Sequence, residues 1–276
     1  MTGVNEDTDA SSSPRCELGH VVRDIIWRIQ YLWQRFRRGV RIVPIKIDVK
    51  DAFREVPVEI TRAPVFGYVF GDFVVVNRRL HFGWRNSQGF WCSFASALEH
   101  VHNNTSRRRA VYTDSGREAI QHVVVTPSRE SRAAALPPGY VAPPRRGGSA
   151  DYFFFVRFYV DDGVSVEVQC YPSGDRCLCA SASLASDHFR SFGYRAPTAP
   201  PLLSKHNFCH WDTQLAVLGW EIDSVAMNIS LTKAKVAKLR GLLFKWPRGR
   251  PYALESELRE LVGNLLYDSE VVRPGK

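Results

Sequence analysis

The 276-residue sequence lacks several features that would place it in well-defined classes of protein. No apolar run approaches the roughly 18 residues of a membrane-spanning helix, because Asp72 and Arg157 interrupt the most apolar stretches, and no membrane partner is expected. The six cysteines lack the spacing of a small secreted disulfide scaffold, so reduced thiols in an intracellular protein, in the cytoplasm or nucleus, are expected. The start is polar, acidic and Ser-rich rather than cationic and apolar like a secretory signal. Residues 1–19 are therefore expected to form a disordered lead-in.

Acidic residues are also scarce relative to basic ones. The chain has 28 Asp and Glu against 37 Lys and Arg, which gives a net charge of +9. This balance favours an anionic partner such as nucleic acid, although ordinary solubility is the alternative explanation. A hydrophobic fraction of 45% excludes a wholly disordered chain and allows one large or two small domains.

The spacing of apolar residues predicts helices alternating with antiparallel strands. Helices are expected at residues 21–36 with Gly39 as the stop, after an N-cap at Ser87, and at 184–192, 233–246 and 254–267. The buried stripe expected on the helix after Ser87 comprises Phe90, Phe94, Ala97, Leu98 and Val101. Strands are expected between Pro44 and Asp48, at 65–70, 73–76 and 215–222, and in a hairpin over 152–168 with Asp161-Asp162-Gly163 at its tip. This order indicates an α+β domain followed by a helical one.

Residues 103–150 differ in composition from their surroundings. Eight arginines against three acids give this segment a net +5 of the chain's +9, and it is rich in Pro, Gly, Ser and Ala. So little periodicity over 48 residues predicts a flexible insertion, with a short strand at 123–125.

Three aspartates stand in apolar, β-branched surroundings: Asp48, Asp161 and Asp162. Strand interiors disfavour Asp, so its presence there needs a reason. Taken singly, Asp-Asp-Gly suits a plain hairpin turn, Asp48 could bond a nearby amide, and Phe53 is more often a core residue than a substrate contact. Taken together they favour a pair of divalent cations held for phosphoryl transfer. Carboxylates suit Mg²⁺, and two such ions about 3.5–4 Å apart clamp the attacking and leaving oxygens.

Five segments, in unchanged order, resemble motifs of the retroelement reverse transcriptases, most closely those of LTR- or DIRS-type retrotransposons. They are residues 48–57 (motif A), residues 80–87 (motif B), Tyr159-Val160-Asp161-Asp162 (motif C), Leu218-Gly219-Trp220-Glu221-Ile222 (primer grip), and residues 257–265 with 272–275 (thumb and just beyond). The resemblance covers about residues 20–276. It implies a palm, an antiparallel sheet packed on helices, over residues 20–228 and a helical, truncated thumb over residues 229–276.

The resemblance also implies roles for particular residues. Asp48, Asp161 and Asp162, with the backbone of Val49, would bind two Mg²⁺ ions, with Mn²⁺ as an alternative. The residues that would contact the incoming dNTP are Asp51, Ala52, Phe53, Phe82 and Gly83, with Phe53 as the steric gate against a 2′-hydroxyl. The primer grip would comprise Leu218, Gly219 and Trp220. Lys205 would protonate the leaving pyrophosphate, or is simply a solvated loop lysine.

The implied activity is RNA-directed DNA polymerisation, in which a DNA primer on an RNA or DNA template is extended with dNTPs. His81 and Gln88 depart from the family pattern, which often has Pro at both positions, and no counterpart of the family's fingers precedes residue 20. The expected partners include other domains of a polyprotein: RNase H, integrase or recombinase. Two alternatives stay open: an inactive nucleic-acid-binding remnant or fragment of such an enzyme, and a different nucleotidyltransferase or an unrelated enzyme whose hairpin acids are incidental.

Overall fold

Helices and antiparallel strands alternate along the chain, as the apolar periodicity predicts. The computed structural model describes residues 5–6, 8–16, 20–36, 41–49, 51–105, 153–169, 177, 180, 184, 211–246, 252, 254–269 and 271. Within these residues the elements are α1 (Val21–Phe36), β1 (Arg41–Asp48), α2 (Ala52–Glu55), β2 (Gly67–Phe70), β3 (Phe73–Val76), α3 (Ser87–Asn103), β4 (Val156–Tyr159), β5 (Asp162–Gln169), β6 (Gln214–Val217), β7 (Trp220–Asp223), β8 (Asn228–Leu231), α4 (Lys233–Phe244) and α5 (Glu255–Ser269). The α+β class is therefore confirmed.

A three-stranded antiparallel sheet in the order β1-β5-β4 forms the centre of the fold. The β1–β5 pairing is continuous, from Arg41 opposite Gln169 to Asp48 opposite Asp162. Because β5 lies in the middle and is covered on both faces, even its polar residues Ser165 and Glu167 are buried.

Each face of this sheet carries a separate hydrophobic core. Helix α1 covers one face, together with residues of β6 and β7; its core comprises Val21, Ile25, Ile29, Leu32, Ile42, Val164, Val166, Val168, Leu215, Val217 and Ile222. Helix α3 covers the other face, in a core that includes Ile45, Ile47, Trp91, Ala95, Leu98, Val156 and Phe158. Burial on both faces fixes the register of the sheet, because a one-residue slip would exchange the two sets of side chains.

The first strand begins earlier than expected. Pro44 does not precede β1 but lies inside it, opposite Val166. Since β1 is an edge strand of the described sheet, the missing N–H of Pro44 interrupts no ladder on its open side. The Pro44 carbonyl accepts a hydrogen bond from the Asp212 amide at 3.2 Å.

Helix α3 differs from its predicted form in two ways. Its N-cap is Asn86, while the Ser87 hydroxyl donates to the His81 carbonyl at 2.7 Å. Its buried face is turned by about one residue from the predicted stripe, since Ala97 is exposed and Val101 is 44% exposed. The residues of α3 that are buried are Ser87, Gly89, Trp91, Cys92, Ala95, Leu98 and His102. The phenylalanines misled the prediction because Phe90 stacks on Trp84 at the helix flank, with ring centroids 5.9 Å apart.

The strand expected at 215–222 is a hairpin, β6–β7, with β8 as a third strand. The turn is made by Leu218 and Gly219, whose φ angles of 52° and 81° are both positive. The sequence did not predict β8, which is only four residues long. Helix α4 begins after Thr232, whose hydroxyl oxygen accepts a hydrogen bond from the Lys235 amide, and α4 and α5 lie close to the predicted ranges.

Several predictions lie outside the described residues: Gly39 as a helix stop, Lys205 as a proton donor, residues 106–150 of the insertion with its strand at 123–125, residues 185–192, and the ending at 272–275. Cys177, Ala180 and Leu184 are helical and buried, so helix is already present before the predicted start at residue 184. In the part of the chain that the structure describes, no helix has the length and apolar character to cross a membrane.

Candidate active site

Antiparallel pairing brings the three aspartates of the sequence analysis to one end of the central sheet. Asp48 is the last residue of β1, and its pairing partner is Asp162, the first residue of β5. The Val49 amide donates to the Asp161 carbonyl at 3.1 Å, which continues the pairing by one residue. Because side chains alternate along a strand, Asp48 and Asp162 belong to the face that α1 covers.

The turn between β4 and β5 is tighter than expected. It consists of Val160 and Asp161, so that Asp162 and Gly163 are strand residues rather than the tip. Val160 has a φ of 56°, a conformation that costs a β-branched residue about 1–3 kcal/mol. The buried Trp91 of α3 supports this turn, since its indole Nε1 donates to the Val160 carbonyl at 2.7 Å.

Gly163 allows close packing beneath the aspartates. A Cβ atom at this position would lie 2.7 Å from Cε1 of Phe158, a buried ring in the core on the α3 side. Any larger residue would have to displace that ring. The glycine is thus required by packing rather than by turn geometry.

The electrostatics of the cluster are those of crowded carboxylates. Burial raises the pKa of Asp161, and the negative charges of Asp162 and Asp48 raise it further, against opposing effects of a backbone hydrogen bond and of Lys46. The Lys46 ammonium lies 2.9 Å from Asp162 Oδ1. Asp162 therefore already holds a cation that the protein itself supplies, the Lys46 ammonium.

Replacing Asp161 with asparagine is expected to raise the melting temperature slightly at pH 7, by about 1–3 °C. A raised pKa in the folded state means that this group stabilises the fold fully only below the ordinary Asp pKa of 3.8, and that the contribution is lost as pH rises through the folded-state pKa. The advantage of the variant should therefore vanish in acid. Thermal unfolding between pH 3 and pH 8, without divalent ions, measures this.

Asp223→Asn is the matched control for that series. Hydrogen bonds from the Ala226 amide and the Gln214 side chain lower the pKa of Asp223, so its carboxylate stabilises the fold at neutral pH. The expected change in melting temperature has the opposite sign. Equal shifts in both variants would contradict the electrostatic account of Asp161.

The donor types at this site fit a hard divalent cation, but the side chains do not form a finished cage. Among the described residues, no group of three or more His, Cys, Asp or Glu side chains is arranged to hold a metal ion. Asp162 is turned to Lys46 instead. The ammonium shows that this carboxylate accepts a cation, and carboxylate oxygens are the ligands that Mg²⁺ prefers.

The residues expected to contact a nucleotide lie in two loops. Asp51, with a φ of 53°, precedes α2, in which Ala52 is buried and Phe53 is partly buried against the core on the α3 side. The ring of Phe53 lies 5.7 Å, between centroids, from that of Phe82, which is 80% exposed. Gly83 follows with a φ of 92°, so a glycine suits this position. The structure thus brings the motif A and motif B aromatics together.

The described residues of the lead-in, 5–6 and 8–16, include several that form hydrogen bonds with the rest of the fold, contrary to the expected disorder. Asn5 contacts the loop before α3 twice: its Nδ2 donates to the Gly83 carbonyl at 2.8 Å, and its Oδ1 accepts from the Arg85 amide at 2.7 Å. The indole Nε1 of Trp84 donates to the Thr8 hydroxyl oxygen at 2.9 Å. Residues near the N-terminus therefore lie across the loop at Gly83, which the motif B resemblance assigns to contact with the incoming dNTP.

A covalent bond also links the N-terminal residues to α3. Cys16 and Cys92 form a disulfide, with Cα atoms 5.5 Å apart, where reduced thiols were expected. The main chain at Pro14 passes so close to Gly89 of α3 that a Cβ atom there would collide with the Pro14 carbonyl. Cys177 is a buried thiol, and its Sγ lies 3.8 Å from the Val168 carbonyl oxygen.

The predicted primer-grip residues lie at the tip of the β6–β7 hairpin. Leu218 and Gly219 form the turn, and Trp220 is the first residue of β7. The Tyr267 hydroxyl of α5 donates to the Leu218 carbonyl at 2.8 Å. A Cβ atom on Gly219 would lie 2.6 Å from Cδ of Lys235, so α4 also packs closely on the tip. Trp220 is 1% exposed, and a structural role in the core accounts for it.

Tyr267 connects this hairpin to the acid cluster, and sequence reasoning missed it. Its ring stands at 74° to that of Tyr159, at a centroid distance of 6.3 Å. The Lys235 ammonium lies 3.7 Å from the centre of the Tyr267 ring and 2.8 Å from Asp268 Oδ1. The C-terminal helices therefore contact the strand that leads into Asp161. In the sequence, nothing distinguishes Tyr267 from any other aromatic residue of a helix.

No protein-family model matches the sequence, and no curated protein matches it. Three solved structures of foamy viral protease-reverse transcriptase are similar. That with an RNA/DNA hybrid has a TM-score of 0.42 at 13% identity over 82% of this chain. Two with double-stranded DNA have TM-scores of 0.45 and 0.42 at 14% and 13% identity, over 85% and 82% of this chain. The chain spans 21%, 29% and 32% of those proteins. Similarities of this size are too weak to decide a family or an activity.

Proposed function

We propose that this chain contains the palm of an RNA-directed DNA polymerase, the reverse transcriptase of a retrotransposon, followed by helices of its thumb. The single observation that carries the proposal is the β1–β5 register, which sets Asp48 opposite Asp162, with Asp161 next to it in the turn. These residues are about 110 positions apart in the sequence, and the register alone joins them. A turn residue with positive φ and a supporting tryptophan fit a site held in one geometry.

The three carboxylates would hold two Mg²⁺ ions, together with the backbone of Val49. When bound, such ions lower the pKa of a primer 3′-hydroxyl and offset the charge of the leaving pyrophosphate. The protein's own part is to fix the acids at the sheet end and to exclude the wrong sugar. The Phe53 ring, backed by Phe82, would fill the space that a 2′-hydroxyl needs.

The finer assignments come from the motif resemblance. They are the retrotransposon origin, the palm over residues 20–228, the thumb over residues 229–276, and the polyprotein partners with RNase H, integrase or recombinase activity. The contacts of α4 and α5 with the β6–β7 tip support a thumb-like role for those helices. The net charge of +9 supports a nucleic-acid template and primer as partners.

Primer extension on poly(rA)/oligo(dT) with dTTP and Mg²⁺ tests the proposal. The purified chain is expected to lengthen the primer and to stop doing so when Mg²⁺ is chelated. Failure to extend, despite measured binding of the template–primer, would reject the polymerase assignment for this chain.

Replacing Phe53 with valine is expected to raise ribonucleotide incorporation relative to deoxynucleotide incorporation by about 100-fold, because the smaller side chain leaves room for the 2′-hydroxyl. Single-nucleotide incorporation kinetics with dTTP and rUTP give the ratio. Phe153→Val, at a ring that is 57% exposed, is the matched control and should leave the ratio unchanged. An unaltered ratio in the Phe53 variant would remove this residue from the gate.

A second candidate is a nucleic-acid-binding fragment without catalysis. The observation that favours it is the position of Asn5 and Thr8 across the loop at Gly83 and Trp84, where the motif resemblance would place the incoming dNTP. Under this alternative the chain binds template–primer but does not extend it, and Asp161→Asn leaves the binding unchanged.

A further inference from the structure

Lys46 introduces a positive charge into the acid cluster. It is the third-last residue of β1, two positions before Asp48, and pairs with Val164. Asp162 is therefore its diagonal neighbour on the same face, and the Lys46 ammonium reaches Asp162 Oδ1 at 2.9 Å. The two side chains are only 23% and 26% exposed, so water screens this pair less than a surface ion pair.

The position of this charge has an electrostatic consequence. Asp48 and Asp162 are paired directly across two antiparallel strands, where like charges destabilise a sheet. The lysine offsets that repulsion when no other cation is present. Any divalent ion that uses Asp162 must then compete with the ammonium for the same carboxylate.

We propose that Lys46 is a built-in counter-ion of the acid cluster, which holds Asp162 until a divalent cation displaces it, and that it thereby sets the divalent concentration the site requires. This inference rests on the proposed function, since it concerns the same site. It makes Lys46 a positioning residue rather than a catalytic one. The chain carries its own competitor for magnesium.

Thermal unfolding at increasing MgCl₂ concentration tests this in the full chain. Lys46→Met keeps the length of the side chain and removes its charge. Without divalent ions this variant should melt below the wild type, because the carboxylates lose their counter-ion. With Mg²⁺ its melting temperature should rise further, with half-saturation at about a tenfold lower concentration than in the wild type.

Two variants separate charge from packing. Lys46→Arg keeps the charge and should keep the wild-type dependence on Mg²⁺. A purely structural role for the lysine stem predicts instead that Lys46→Met, which keeps the stem, also keeps that dependence. Lys238→Met removes an exposed charge elsewhere, one whose ammonium is 3.9 Å from Glu260, and should leave the half-saturating concentration unchanged.

The outcomes distinguish a failure of this inference from a failure of the proposed function on which it rests. Half-saturation at the same Mg²⁺ concentration in the wild type and in Lys46→Met would overturn the counter-ion role and leave the magnesium site intact. No response to Mg²⁺ in either protein, with both folded, would overturn the magnesium site and the counter-ion role together. A shift in Lys46→Met that Lys46→Arg reverses supports the inference.

Discussion

Primer extension is expected to fall by about a thousand-fold or more when Asp48 is replaced with asparagine. Asparagine keeps the size of the side chain and its position opposite Asp162, but it removes the negative charge that a divalent cation requires. Because the cluster is crowded with like charges, losing one should not destabilise the fold. Single-turnover extension of a labelled primer measures the rate, and melting temperature with and without Mg²⁺ measures folding.

Asp72→Asn is the matched control for this loss. Asp72 is exposed in the turn between β2 and β3 and belongs to no proposed contact with substrate. Extension by this variant should equal that of the wild type. Wild-type extension by the Asp48 variant would mean that the register observed at the end of β1 has no catalytic meaning.

The second large effect is expected on stability. Replacing Cys92 with alanine should lower the free energy of unfolding by about 4 kcal/mol, because the disulfide to Cys16 closes a loop of 76 residues and restricts the unfolded chain. The same change removes the covalent link between the N-terminal residues and α3. Urea unfolding curves of both proteins give the difference.

A reducing agent provides the internal comparison. It should destabilise the wild type to about the level of Cys92→Ala, and it should not affect that variant further. Cys177→Ala, at a buried thiol outside this disulfide, should remain as sensitive to the reducing agent as the wild type. A wild type whose stability is the same under oxidising and reducing conditions would restore the expectation of reduced thiols.

Much of the fold follows from apolar periodicity. Helix α1 and the turn of the β2–β3 hairpin lie where the sequence predicts them, because one buried stripe or one tight turn defines each, although β2 begins two residues later than predicted, after a 3-10 turn at Ala63–Phe66. The buried face of a helix that is flanked by aromatic residues was harder to predict from the sequence. The face of α3 was misjudged because Phe90 covers the helix flank while Trp91 occupies the core.

The meeting of the aspartates was predictable, but their surroundings were not. A strand that ends in Asp48 and a hairpin strand that begins at Asp162 need only pair antiparallel to bring the acids together. The partner of Asp162 depends on the register, since Lys46 becomes a diagonal neighbour only in this one pairing. Without the register, nothing in the sequence distinguishes Lys46 from the other basic residues.

The N-terminal contacts escaped prediction for another reason. Composition averages over a segment, whereas Asn5 and Thr8 are fixed by hydrogen bonds to residues about 75 to 80 positions away. Such bonds leave no periodic signal in the sequence. The disulfide at Cys16 was equally hidden, since its partner lies on a helix face that the sequence oriented incorrectly.

Localised backbone cleavage by Fe²⁺ in place of Mg²⁺ tests the central claim most directly. With ascorbate and peroxide, a bound Fe²⁺ ion produces radicals that cut the chain only near itself, and excess Mg²⁺ should protect. Cleavage is expected both around Asp48 and around Asp161-Asp162, and Asp48→Asn should weaken both sets of cuts together. Cuts near one of these segments without the other, or cuts that the Asp48 variant leaves unchanged, would contradict a shared cation site.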